Sequence, residues 1–195
     1  MQVGVLALQG SVREHLDSLK RCGVNAVEVR TAEQLNSVSG LIIPGGESTT
    51  VAKLLRLYGL MDLLRERGRS GFPIFGTCTG MILLAREIEG IDRPHLGLMD
   101  ITVRRNAYGR QVDSFETGVV VEGVPDPDRP IPAVFIRAPL VTRVGEGVEI
   151  LASVGSQPVM VRQGNLLAAS FHPELTTDTR VHRFFIEELI EPYTG

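Results

Sequence analysis

The chain has 195 residues, 43% of them hydrophobic, with 20 Lys or Arg against 23 Asp or Glu and a formal charge of −3. That length suits one domain, 1–195, able to bury roughly two-thirds or more of its unfolded surface. The charge balance leaves no basic footprint for nucleic acid and no polybasic membrane patch, so the expected ligand is a small molecule or another protein.

The opening "MQVGVLALQG" is apolar for too few residues and lacks the basic lead and cleavage site of a signal peptide; it reads as a first strand. Strand-like "VGVLAL" (3 to 8) leads into a helix ending near Arg21. There Ser11 and Glu14 have capping-box spacing, Val12, Leu16 and Leu19 form an apolar stripe, and Gly23 supplies the stop. "AVEV" (26 to 29), "GLIIP" (40 to 44), a helical stretch over about 49 to 68 and "PIFG" (73 to 76) continue the alternation. This is the pattern of βαβ units and a mostly parallel sheet covered by helices, an α/β fold.

From about residue 99 the texture becomes strand-rich: "DITVRRN", "SFETGVVVEG", "AVFIRAP" and "VEILASV" predict an antiparallel extension of the sheet. "PVMVRQ" and "NLLAASF" flank Gly164 as a hairpin whose second arm runs into "HPEL". A closing helix over about 179 to 190 puts Val181, Phe184, Phe185 and Leu189 on its apolar side. No run approaches the roughly 18 apolar residues of a membrane span. Two cysteines, Cys22 and Cys78, with no C-x-x-C form neither a disulfide framework nor a zinc site, and a reducing cytoplasm is the expected setting.

Within "PIFGTCTGMILL" (73 to 84) a strand, G-x-C-x-G and a helical run have the form of a nucleophile elbow. A helix beginning at Thr79 would aim free N–H groups at Cys78, favouring thiolate and offering donors to an oxyanion. Alone, the motif fits a buried structural thiol equally well. A thiol that expels an amine also needs a histidine and a group to orient it. Of the four histidines, His15 and His182 lie in amphipathic helices and His95 in a loop, where surface or capping roles are expected. His172 instead ends a strand before Pro173, and Glu174, two residues on in extended backbone, projects to the same side. Cys78 and His172 both stand at carboxyl ends of strands, where open α/β sheets bind ligands. "IIPGGEST" (42 to 49) lacks the spacing and lysine of a phosphate loop; Gly45 or Gly46 can supply a second oxyanion donor while Ser48 caps the next helix.

Together "PGGEST", "GTCTG" and "SFHPEL" resemble the class I glutamine amidotransferase family. With "VLALQGSVREH" (5 to 15), "RRNAYGRQVDSFE" (104 to 116) and "FIRAP" (135 to 139), the likeness extends to the glutaminase subunits of pyridoxal 5′-phosphate synthases and covers essentially the whole chain. The resemblance implies a three-layer α/β/α fold, hydrolysis of L-glutamine to glutamate and ammonia, no cofactor and no metal. It places the nucleophile on Cys78, the base on His172 and the orienting carboxylate on Glu174. Substrate contacts fall on Gly46, Glu47, Ser48, Arg105, Ile136 and Arg137, and oxyanion donors on the amides of Gly46 and Thr79. Alanine is common in the family where Thr79 stands, and the reading assigns Thr79 its N–H alone. For the α-carboxylate of glutamine, Arg105 and Arg137 are candidates, with Arg104 on the other strand face. The resemblance further implies a synthase partner that receives ammonia in a large hetero-oligomer and switches the glutaminase on. Gly10, beside Gln9, either permits a peptide flip in that switch or simply turns the first strand into its helix. Two other readings share these residues: a glutaminase serving another synthase, and a non-catalytic structural partner.

Overall fold

The computed structural model describes residues 1–92, 95–105 and 114–195. Strand and helix alternate at first: β1 (Gln2–Leu6), α1 (Val12–Arg21), β2 (Asn25–Val29), α2 (Ala32–Asn36), β3 (Gly40–Ile43), α3 (Ser48–Leu57), α4 (Leu60–Arg69), β4 (Ile74–Thr77) and α5 (Thr79–Leu84). Then come β5 (Ala85–Ile88), β6 (Met99–Arg104), β7 (Ser114–Val119), β8 (Ile131–Ile136), β9 (Leu140–Val144), β10 (Glu149–Val154), β11 (Gln157–Gln163) and β12 (Leu166–Ala169). The chain closes with α6 (Arg180–Phe185), a π-helical stretch (Ile186–Ile190) and α7 (Glu191–Thr194).

Two local expectations change. The one helix expected over about 49 to 68 is two, because Gly59 at φ +68° separates α3 from α4. The short helix α2, unanticipated, starts on a capping box in which Thr31 and Gln34 satisfy each other's backbone donors.

A seven-stranded sheet in the order β10-β11-β12-β4-β3-β1-β2 forms the centre, parallel from β12 to β2. Side chains alternate across a strand, so neighbours in sequence feed opposite cores. Leu41, Ile43 and Ile74 join Leu35, Leu55 and Leu64 on one face. Ile42, Phe75 and Leu167 join Leu19, Phe185 and Leu189 on the other. Helices α2 to α5 cover the first face and α1 with α6 the second, giving the three layers. Among the described residues, no helix is long and apolar enough to cross a membrane.

The antiparallel extension is smaller than expected. Strands β10 and β11 continue the sheet, and β11 turns into β12 at Gly164 as the hairpin reading requires. Strand β6 instead joins β5 and β9 in a separate sheet, and β7 pairs with β8 as a two-stranded ribbon. Burial explains the difference. Met99, Ile101 and Val103 pack into the first core, and Val119, Ala133 and Phe135 into the second, so these strands cap the faces of the sheet instead of lengthening its edge. Residues 106–113 of the "RRNAYGRQVDSFE" segment lie outside the described residues.

Because β1, β3, β4 and β12 run in one direction, the loops leaving their carboxyl ends meet along one edge. Cys78, the 44–47 turn, the 7–11 loop and His172 all lie there.

Candidate active site

Cys78 is the single residue between β4 and α5, at φ 49° and ψ −99°. A non-glycine residue held at positive φ stores strain, which persists only where the surroundings fix it. Here the Cys78 N–H donates to the Ala169 carbonyl (2.8 Å) and its own carbonyl accepts the first α5 bond from Ile82 (3.3 Å). The elbow is therefore anchored at both ends. Cys78 is 7% exposed, lines the same cavity as His172, and has its Sγ 3.9 Å from the Ile136 carbonyl.

His172 leaves β12 and is fixed by its N–H donating to the Val134 carbonyl of the β7-β8 ribbon (2.8 Å). Pro173–Leu175 is a tight 3₁₀ turn, not the extended backbone expected. The contact forms nonetheless, His172 Nδ1 lying 2.8 Å from Glu174 Oε1, because the turn curls the carboxylate back beneath the ring. Burial alone would lower the His172 pKa; hydrogen bonds and charge from Cys78 and Glu174 outweigh it and raise it to about 10. Burial would likewise raise Glu174, but attraction to His15 and His172 and the Ser11 hydrogen bond lower it to about 2. His172 is thus held as imidazolium, with Glu174 ionised beneath it.

Three groups behind the carboxylate depart from the sequence reading. Ser11 precedes α1 but makes no side-chain cap: its hydroxyl donates to Glu174 Oε1 at 2.6 Å, and the Ser11–Glu14 capping box does not form. His15 and His182, read as surface or capping residues, are fully buried, with His15 Nδ1 3.0 Å from His182 Nε2. His15 Nε2 lies 3.1 Å from Thr77 Oγ1 and 3.4 Å from Glu174 Oε2. The missed signal is periodicity, since His15 sits four residues after Ser11 and four before buried Leu19, on the true inner face of α1. Burial is the main cause that lowers the His15 pKa, so this imidazole is neutral at neutral pH.

Across from the elbow, Gly45 passes so close to His172 that a Cβ there would stand 2.4 Å from the imidazole Cε1. The Gly45 carbonyl accepts from the Ser11 N–H (3.1 Å) and abuts Gly10, which is held at φ +110°. Glu47, not Ser48, caps α3: its carboxylate accepts from the Thr49 and Thr50 amides and its pKa falls to about 2, these bonds outweighing partial burial. Gln9 Oε1 accepts from the Glu47 N–H at 2.7 Å.

These groups surround a cavity of about 410 Å³ lined by Cys78, Thr79 and His172, and by all six expected substrate contacts, Gly46, Glu47, Ser48, Arg105, Ile136 and Arg137. Arg104 is turned away, its Nε 2.6 Å from Glu89. Arg105 reaches Glu47 (3.3 Å), whereas Arg137, exposed and at φ 43°, has no ion-pair partner among the described residues.

The SNO glutamine amidotransferase family matches residues 5–191. The pyridoxal 5′-phosphate synthase subunit PdxT of Pelotomaculum thermopropionicum is 56% identical over 97% of this chain and 96% of its own. The protein of that name in Thermus thermophilus is 56% identical over 95% and 96%. A crystal structure of a glutamine amidotransferase covers 95% of this chain and 97% of that one at 55% identity, with a TM-score of 0.90. The PurLQS structure of Thermotoga maritima, 16% identical with a TM-score of 0.69 over 96% and 98% of the two chains, shares the fold.

Proposed function

The chain belongs to the SNO glutamine amidotransferase family, and from that premise we propose how its 195 residues work as one glutaminase domain. It is the glutaminase subunit of a pyridoxal 5′-phosphate synthase, a hydrolase acting on the side-chain amide of L-glutamine. The observation that carries the catalytic assignment is that Cys78 and His172 line one cavity with two arginines while Glu174 Oε1 stands 2.8 Å behind His172 Nδ1.

Cys78 is the nucleophile. Its sulfur attacks the amide carbon, and the backbone N–H groups of Gly46 and Thr79 receive the oxyanion. As the C–N bond breaks, His172 gives its proton to the departing ammonia, leaving a thioester on Cys78. Water then attacks that carbonyl while His172 takes a proton from it. The C–S bond breaks, glutamate leaves, and Cys78 and protonated His172 return to their starting state. Glu174 holds the imidazole in the required tautomer throughout. Arg137 and Arg105 supply positive charge for the α-carboxylate of glutamine, and an arginine fork matches a carboxylate in two hydrogen bonds.

Ammonia released to water is lost to the next reaction, so the chain delivers it to a synthase subunit docked in a large hetero-oligomer. The test compares glutamine hydrolysis by wild type and Cys78→Ala, each with and without the synthase subunit. Wild-type turnover stimulated by the partner, abolished in Cys78→Ala, is expected. Activity surviving the substitution, or failure of 6-diazo-5-oxonorleucine to label Cys78 in the complex, would overturn the assignment.

A further inference from the structure

Glu174 has two oxygens, and the catalytic line uses one. Oε1 receives both His172 Nδ1 (2.8 Å) and the Ser11 hydroxyl (2.6 Å). Oε2 is fully buried and has no hydrogen bond among the described residues; the group facing it is His15 Nε2 at 3.4 Å. A buried carboxylate held at one oxygen can still pivot about that point, and a pivot would swing the imidazole it orients.

We propose that His15 and His182 are positioning residues that fix Glu174 from behind, His182 Nε2–H donating to His15 Nδ1 so that His15 presents its Nε2–H to Glu174 Oε2. The proposal rests on the assignment of Glu174 as the orienting carboxylate. The tautomers follow from the hydrogen-bond pattern. With the proton on His15 Nε2, that edge meets two acceptors, Thr77 Oγ1 (3.1 Å) and Glu174 Oε2, and leaves Nδ1 to accept from His182 at 3.0 Å. Reversing the chain would point an imidazole lone pair at a buried carboxylate oxygen. The price of the favoured arrangement is His182 Nδ1, buried without a partner. A bare ring nitrogen is a less costly orphan than a bare carboxylate oxygen, because it carries no charge to desolvate.

The pair has little other work. His15 and His182 are both 0% exposed, lie on α1 and α6, and do not line the substrate cavity. The titratable groups acting on them are Glu174 and His172 from the turn after β12, and Glu14 and Arg21 from α1. Phe75 and Phe185 close the apolar side, Phe75 meeting His182 edge-on at 6.2 Å and Phe185 at 5.6 Å. Two imidazoles in an otherwise apolar layer are explained by the carboxylate they back.

The test follows alkylation of Cys78 by iodoacetamide against pH, read at the Cys78 peptide by mass spectrometry, in the full chain. Wild type, Glu174→Gln, His15→Phe, His15→Gln and His182→Gln are compared, with melting temperature as the fold control. Loss of the His15 donor weakens the hold of Glu174 on imidazolium. The basic limb of the profile should therefore move to lower pH by about one unit in His15→Phe, the shift worth one charge-assisted hydrogen bond. His15→Gln, which keeps a donor, should return most of the way to wild type, and His182→Gln should lie between. A folded His15→Phe or His182→Gln whose basic limb coincides with wild type overturns the proposal. So does His15→Gln behaving like His15→Phe, which would reduce the imidazole to a space-filler. Glu174→Gln separates the two levels: if it too leaves the profile unmoved, the assignment of Glu174 itself fails; if it alone moves the profile, only the backing pair is wrong.

Discussion

The hydroxyl of Thr79 donates to the carbonyl of Gly46 at 2.5 Å, tying the residue after Cys78 to the loop that faces it. On the other side of the same peptide, the Glu47 N–H is held by Gln9 at 2.7 Å. A peptide bound on both edges cannot rotate freely, so this clamp fixes the peptide that follows the Gly46 N–H proposed to receive the oxyanion. The Thr79 side chain, discounted on sequence grounds, therefore has a structural part beyond its N–H.

Replacing Thr79 by alanine should keep the fold and the Thr79 N–H but release the Gly46 carbonyl. The loss of one hydrogen bond, about 1 kcal/mol, predicts a kcat for glutamine lowered roughly fivefold with little change in KM. Thr79→Ser should behave as wild type. Steady-state kinetics of the complex decide it, and an unchanged kcat in Thr79→Ala would show that the loop holds its shape without the clamp.

Gly45→Ala puts a methyl group 2.4 Å from His172 Cε1, closer than van der Waals contact allows. The imidazole must shift, and a displacement of about 1 Å at a reacting group costs on the order of 100-fold in kcat. The melting temperature should fall far less than the rate, since the clash falls on a side chain at the cavity wall and leaves both cores of the sheet untouched. Comparing kcat with thermal unfolding checks this; a variant as active as wild type would mean the ring does not work from this position.

Arg137→Gln should raise the KM for glutamine about tenfold or more while changing kcat less, because a carboxylate far from the scissile amide is bound alike in ground and transition states. Arg105→Gln should act more weakly, its guanidinium being already engaged by Glu47 at 3.3 Å. Kinetics over a range of glutamine concentrations, run on both variants, rank the two. A larger KM effect at Arg105 would reverse the assignment.

Stability should fall as pH drops below about 6.5. His182 is lowered from 6.5 to about 3, by burial first, so between those values the unfolded chain binds a proton the folded one refuses. His15, also lowered by burial, adds in the same direction. Glu174, lowered from 4.5 to about 2 against the pull of burial, contributes stability above 4.5 that is lost on further acidification. His172 acts at the other end. Raised from 6.5 to about 10 against the pull of burial, it contributes fully below 6.5 and loses that contribution as pH climbs towards 10. Urea midpoints at pH 7, 5 and 4 should decline, and His182→Phe should flatten the decline between pH 6.5 and 3. A slope identical to wild type in that variant would remove His182 from the account.

Local features were legible in the order of residues alone. A glycine-flanked cysteine between an apolar strand and a helical run specifies an elbow, and H-P-E places a carboxylate within reach of an imidazole whether the backbone is extended or, as found, a 3₁₀ turn. The parallel order of the first strands also followed from alternating short apolar runs, and it carried Cys78 and His172 to the same edge. Contacts between distant parts of the chain emerged only once the elements were packed together. Ser11 has the spacing of a capping box, yet its hydroxyl is taken by a carboxylate 163 residues away. His15 and His182, 167 residues apart, look like helix-surface residues until α1 and α6 are laid on one face of the sheet with their imidazoles behind Glu174. The choice between Arg104 and Arg105, adjacent in sequence, turned on which strand face met the cavity. A one-dimensional pattern records which side of an element is apolar, but whether a polar group on that side is satisfied depends on partners that only packing brings together.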